Sequence, residues 1–299
     1  QPSPTPQWLA LSGRIQYQDP HTNLLMPARR VRVELWNEPD PHDPDPSNPC
    51  RMPQPTPKPV PPVPTPRLTR GPIPTPPSPL RIPIPCLRDR LAVTHTGEDG
   101  SYAFTVRADS PLRIVLRVYT QDDARVTVRQ PNPFRIFKGL PYVHETESVL
   151  LGPGAHLLDI AIQDESLSRA FFIYDTLTRR GWEELMRRVG WAPAQAVDVY
   201  WPSGCLPGMP EDSGNSCYYF GGIRLTRDQG LSPDVILHEF AHFVLSRFHG
   251  DDPIVFACIP PMHRFEQHTS VSCAWSEGWA SFLAAALLQR PQFRIWPLE

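Results

Sequence analysis

The sequence predicts two domains of different class: an all-β sandwich over residues 1–165, followed by an α+β domain over residues 166–299. Three observations carry this expectation. Short runs with a period of two, separated by turn residues, fill the first half. One proline-dense stretch interrupts them. After Asp164 the apolar period changes to that of a helix. A chain of 299 residues is long enough for about two such cores.

In chain order, Arg14-Ile15-Gln16-Tyr17 and Val31-Arg32-Val33-Glu34-Leu35-Trp36 alternate as half-buried strands do. Twenty of the 40 prolines then fall between Pro39 and Pro85. Proline lacks the N–H that helix and sheet ladders both need, so this stretch is neither a helix nor a central strand. It reads as one enlarged loop of polyproline II character, about residues 39–90, serving as a spacer or as a docking arm. Strand patterns resume at Leu91-Ala92-Val93-Thr94, turn at Gly97-Glu98-Asp99-Gly100, and continue through Tyr102–Val106 and Leu112–Tyr119. Ala124–Val128 and Leu157–Ile162 are expected to complete the sandwich.

Ser12-Gly13-Arg14-Ile15, the Val-Arg-Val-Glu-Leu strand and Thr96-Gly97-Glu98-Asp99-Gly100-Ser101-Tyr102-Ala103-Phe104 resemble a transthyretin-like, carboxypeptidase-regulatory-like domain. The resemblance covers about half of the chain. It implies an accessory module beside a catalytic domain.

Charge excludes one class of function. Lysine and arginine number 29 against 31 acidic residues, a net charge of −2, which does not suit electrostatic binding of nucleic acid. No apolar run reaches the length of a membrane span. The six cysteines lie as three close pairs, and Cys50–Cys86, Cys205–Cys217 and Cys258–Cys273 are the expected disulfides. Such pairing, with no C-x-x-C, suits an oxidising compartment, secreted or at a cell surface; the alternative is six reduced, buried thiols in a cytosolic protein.

In the second half, Leu167, Ala170, Phe171, Tyr174 and Leu177 form a helical stripe, and Trp182–Val189 a second short helix. Ala196–Trp201 and Gly221–Thr226 read as strands. Ser232-Pro233-Asp234 then opens a helix with a capping hydroxyl, proline at its first position and an acid in its first turn. That helix carries H-E-x-x-H at His238-Glu239-Phe240-Ala241-His242. His238 and His242 lie one turn apart on one face and can share a metal, while Glu239 points about 100° round the helix and can act on water without being a ligand. A catalytic zinc needs a third protein ligand. Glu277 is one candidate, in Ala274-Trp275-Ser276-Glu277-Gly278-Trp279-Ala280, which opens a helix ending near Gln289. His249, Asp251, Asp252, His263, Glu266 and His268 are its rivals. The extended H-E-x-x-H-x-x-G-x-x-H pattern fails, because Leu245 and Phe248 stand at its glycine and third histidine positions.

H-E-F-A-H followed by S-E-G-W-A resembles the gluzincin metallopeptidases, over roughly residues 166–290. The aminopeptidase branch carries N-E-G-F-A, and the small size resembles the minimal gluzincins. The resemblance implies a zincin-like fold and one Zn2+ held by His238, His242 and Glu277. It also implies Glu239 as general base and a peptide or protein as substrate. By the same analogy, Gly221, Gly222 and Ile223 would pair with an extended substrate as an added strand. This chain departs from the pattern twice. The spacer from His242 to Glu277 is 34 residues, longer than the family's usual length, and no Tyr or His follows Glu277 to stabilise an oxyanion. His263, His268, Tyr218 and Tyr219 are left for that role, or the chain is truncated at its C-terminus. Two other readings share the metal ligands: a non-catalytic zinc-stabilised surface or adhesion module, and a latent proenzyme whose Phe293-Arg294-Ile295-Trp296 tail blocks the cleft.

Overall fold

A computed structural model describes residues 6–38, 89–132, 138–205, 215–219, 221–249 and 269–294. The proline-dense stretch, Cys50, Cys86, Cys258, Asp251, Asp252, His263, Glu266 and His268 lie outside the described residues.

The first half is β-structure, with strands numbered here in chain order. β1 (Trp8–Gln18) is the long one, and its Leu9, Leu11, Ile15 and Tyr17 are buried on one side, as the alternation predicts. It changes partners midway. Its first part pairs with β5 (Ser101–Arg107) and β10 (Gly154–Leu157), its second with β2 (Leu25–Pro27) and β11 (Ile160–Ile162). Gly13 marks the change, because a Cβ there would come within 2.0 Å of the Leu158 carbonyl oxygen. The second sheet orders β4 (Asp89–His95), β3 (Arg32–Asn37), β6 (Leu112–Tyr119) and β8 (Val143–Glu145), with β9 (Val149–Leu151) also on β6. Val33, Leu35, Ile114, Leu116 and Val118 join the apolar side of β1 in one hydrophobic cluster.

One expected sandwich strand goes elsewhere. β7 (Val126–Arg129) pairs in parallel with β12 (Val197–Tyr200), so the sequence 124–128 contributes to the sheet of the second half. That sheet orders β13 (Cys217–Tyr219), β14 (Gly222–Arg224), β12 and β7. β7, β12 and β14 run parallel, and β13 runs antiparallel on the border. The physical reason lies in residue type. Val126, Val128, Val197, Val199 and Ile223 are fully buried, as strands covered on both faces require.

A helical run joins the two halves. α1 (Glu165–Asp175) is capped by Asp164, whose carboxylate accepts from the Leu167 N–H at 2.9 Å. A π-helical segment, Thr176–Glu183, leads directly into α2 (Glu184–Val189), which ends at Gly190 with φ +71°. The two helices expected from the sequence are thus one continuous run. Its first turns face the β-structure, where Phe171 stacks on Tyr17 with centroids 5.9 Å apart. Its π segment faces the next helix, where Trp182 lies 4.8 Å from Phe240 and 5.6 Å from Phe243. Gly181 permits that approach, since a Cβ would meet the Phe240 ring at 3.1 Å.

α3 (Pro233–Phe248) begins at Ser232, whose hydroxyl accepts from the Val235 N–H. α4 (Val271–Leu287) begins at Ser270, earlier than the sequence implied, because the Ser270 hydroxyl accepts from the Cys273 N–H at 3.2 Å. α3 is apolar nearly all round and is buried accordingly, against the π segment on one side and α4 on another. Among the described residues, no helix is long and apolar enough to cross a membrane.

The outer sheet shows why charge recurs on the strand positions that alternate with the core. Glu34 is buried yet fully partnered. Its carboxylate accepts from Arg32 at 2.7 Å, Trp36 Nε1 at 2.9 Å, Tyr119 at 2.9 Å and Arg90 at 3.1 Å. Burial acts to raise its pKa, but the bonds from Arg32, Tyr119 and Trp36 outweigh it and hold the group below the usual carboxylate range. The unfolded chain therefore binds more protons in acid. This stabilisation is complete above the unfolded pKa of about 4.3 and is lost as pH falls through the lower folded value. Glu34→Gln is expected to cost about 2–3 kcal/mol at pH 7, with the difference from wild type shrinking below pH 4. Denaturant melts at pH 7 and pH 3 check both statements.

Candidate metal centre

His238 and His242 stand one turn apart on α3, and Glu277 stands on α4, which packs across it. Of the third-ligand candidates that can be placed, Glu277 is brought to the pair and His249 is not. His249 caps the end of α3, with its ring between Phe248 and Trp275. Among the described residues, His238, His242 and Glu277 form a group whose ligand atoms lie close enough for one metal ion.

The geometry is tight. His238 Nε2 lies 3.0 Å from Glu277 Oε2 and 3.2 Å from His242 Nε2, and His242 Nε2 lies 3.3 Å from Glu277 Oε1. Two imidazole nitrogens and a carboxylate crowded at these distances fit a shared cation. With Zn–N and Zn–O bonds of about 2.0–2.1 Å, tetrahedral ligand atoms stand roughly 3.3–3.4 Å apart, close to the triangle observed. The three side chains are largely buried, with 13%, 10% and 21% of their surfaces exposed for His238, His242 and Glu277.

Each imidazole is also held from behind. Ser281 Oγ lies 3.3 Å from His238 Nδ1, and Ser276 Oγ lies 3.4 Å from His242 Nδ1. An Nε2 lone pair aimed at the ligand triangle leaves the proton on Nδ1, which then donates to the serine. Both serines sit on α4 beside Glu277, one residue before it and four after it. The sequence shows this spacing, but nothing in a single serine marks it until the helices are packed. Phe293, just beyond α4, tilts over the His238 ring with centroids 5.3 Å apart. It is held there by Asp234, whose buried carboxylate takes Arg290 at 2.7 Å and the Arg294 N–H at 3.0 Å. Of the expected blocking tail, Ile295 and Trp296 lie outside the described residues.

Glu239 is buried beside the pair. Burial raises the pKa of its carboxyl group; His238 and His242 oppose that, Glu277 adds to it, and the main-chain N–H of Tyr218 favours the charged form. Gly221, Gly222 and Ile223, expected to pair with an extended substrate, lie at the turn before β14 and in its first two residues. β14 is paired on one side to β12 and on the other to β13, so its ladder groups are already used. The glycines answer to packing. Gly221 has φ +75° at the turn, and a Cβ on Gly222 would meet the Tyr200 ring at 3.0 Å. Among the described residues the border of this sheet is β13, whose first residue, Cys217, is disulfide-bonded to Cys205 as expected. Cys273 is also disulfide-bonded, and its expected partner Cys258 lies outside the described residues. Of the oxyanion candidates, the Tyr218 hydroxyl bonds to Ser246 Oγ at 3.0 Å, Tyr219 is half-buried on β13, and His263 and His268 are outside the description.

Comparison with known proteins bears on this half. Residues 191–297, which include β12–β14, α3 and α4, match the family described as Mycolysin C-terminal domain, and the match supports a metallopeptidase-related chain. No curated protein matches the chain. Among solved structures, a 9R-lipoxygenase from Cyanothece PCC8801 aligns at 13% identity with a TM-score of 0.23, covering 59% of this chain and 23% of that one. A likeness so slight carries no argument about fold.

The serines generate a direct expectation. Ser281→Ala and Ser276→Ala each remove the acceptor behind one imidazole, and each is expected to weaken zinc affinity about 10–100-fold. Competition against a chromogenic chelator measures it, and the fold is expected to be retained in both variants.

Proposed function

We propose that this chain is a secreted zinc-dependent metallopeptidase of gluzincin type. The observation that carries the reading is the triangle of His238, His242 and Glu277 with a buried carboxylate, Glu239, next to it in sequence. The family match over residues 191–297 supports the same class. The first-half sheets would then be a transthyretin-like accessory domain beside a zincin-like catalytic domain, with the proline-dense insertion as its spacer or docking arm. The Cys205–Cys217 disulfide favours an oxidising compartment.

A zinc ion held by His238, His242 and Glu277 would supply Lewis-acid polarisation of the scissile carbonyl and a nucleophilic water near neutral pH. The protein's own groups do the rest. Glu239 accepts the water's proton and passes it to the leaving amine, so its carboxylate must be both close and dry. Ser276 and Ser281 hold the imidazoles in one tautomer and one orientation. An extended peptide would add to β13, the border strand, since β14 has no free side.

Glu239→Gln is expected to bind one zinc per chain and to lose hydrolysis of labelled casein. Metal analysis and the release of fluorescent peptides, with and without a chelator, check this. Casein cleavage by Glu239→Gln at the wild-type rate would sink the assignment of the base. One zinc per chain with no cleavage of casein or of a diverse peptide library by the wild type would favour the binding module.

A further inference from the structure

Asp234 stands in the first turn of α3, where an acid suits the helix dipole. An acid that served only the dipole could stay in water. Asp234 is buried, and both of its carboxylate oxygens are taken by the chain that follows α4. Oδ2 accepts from Arg290 Nη2 at 2.7 Å, and Oδ1 accepts from the Arg294 N–H at 3.0 Å. The direction of that chain is set where α4 ends. The Arg290 N–H bonds to the Ala285 carbonyl and the Gln289 N–H to that of Ala286, with Gln289 at φ +57°, the pattern of a Schellman ending. Residues 290–294 are thus fastened at both ends to one carboxylate.

Phe293 lies between the two anchors. Asp234, His238 and His242 follow one another at steps of four along one face of α3. A segment clasped at Asp234 is therefore carried to the turn that bears His238. There the Phe293 ring meets the imidazole with centroids 5.3 Å apart and planes at 37°. The same imidazole has Ser281 Oγ 3.3 Å from its Nδ1, and the His242 ring edge-on with centroids 4.8 Å apart. Together these contacts restrict rotation of the ring.

We infer that Phe293 is a positioning residue for His238, held on the imidazole by the Asp234 clamp, so that the first turn of α3 and the segment after α4 jointly aim a metal ligand. This rests on the reading of His238, His242 and Glu277 as a zinc site, and it stands whether or not the site hydrolyses peptides. Groups packed around a metal ligand fix its orientation and keep water from it, and losing one commonly weakens metal affinity about 10–100-fold.

Two measurements on the full chain test the inference, and neither depends on activity. One is zinc affinity, by competition against a chromogenic chelator. The other is the visible absorption of the cobalt(II)-loaded chain, which reports the geometry of the ligands. Phe293→Ala is expected to weaken zinc affinity about tenfold and to change the cobalt bands, with Phe293→Leu, which keeps apolar bulk without the ring, falling between it and wild type. Asp234→Ala is expected to cause a similar loss. The Asp234→Ala/Phe293→Ala double variant is expected to lose no more than the worse single variant, since both act through one ring. Wild-type affinity and bands in Phe293→Ala overturn the positioning role. Wild-type affinity in Asp234→Ala, or losses that add in the double variant, overturn the clamp. Should an alanine variant not fold, Phe293→Leu or Asp234→Asn takes its place with a smaller loss of the same kind expected, and wild-type affinity and bands overturn the proposal. A wild type that binds no zinc overturns this inference together with the metal site. Zinc bound without cleavage would refute the hydrolytic reading alone, and the variants would still decide the clamp.

Discussion

The packing of α4 across α3 is the constraint on which the candidate centre depends. It brings a glutamate to within 3.0 Å of one imidazole and 3.3 Å of another, across 34 intervening residues. Such crowding of ligand groups is unfavourable unless they share a cation or a proton, so the surrounding structure has to enforce it. Enforcement comes from burial. α3 is apolar on nearly every side, and the Trp182, Phe240 and Phe243 cluster seats it against the π segment. The Asp234 ties to Arg290 and Arg294 fasten the chain after α4 back to the first turn of α3.

The β-structure enters this arrangement through the helical run from residue 165 to 189. Phe171 is packed on Tyr17 at one end of the run and Trp182 on Phe240 at the other, so one continuous helical element spans from β1 to α3. β7 makes a second connection by leaving the first half's sheets to lie beside β12. A transthyretin-like module beside a peptidase domain is the expectation from motif resemblance. Among the described residues, the shared sheet and a hydrophobic cluster common to both halves show that they bury surface against each other, and a change in either would be felt by the other.

Much of this was legible before any coordinates. The alternation in β1 and β3, the turn before β5, the cap of α3, the stripe of α1 and the Cys205–Cys217 bridge all follow from local chemistry, which acts over a few residues. The readings that changed concern partners. Ala124–Val128 has the pattern of a strand, but nothing in a strand's own pattern names its neighbour. Gly222 suited a close approach of backbone, and the Asp198 carbonyl of β12 is the backbone that comes near it.

The sequence by itself determined the local chemistry of the centre: two histidines one helical turn apart in a helix that starts cleanly, a glutamate turned away from them, and a second glutamate in a later helix. Helical periodicity dictates that much, because it acts within a few residues. Only the tertiary structure decided that Glu277 is brought to the pair and His249 is not, and that Ser276 and Ser281 stand behind the imidazoles. These are contacts between segments distant in the chain, set by how buried faces fit together, and no local periodicity encodes them.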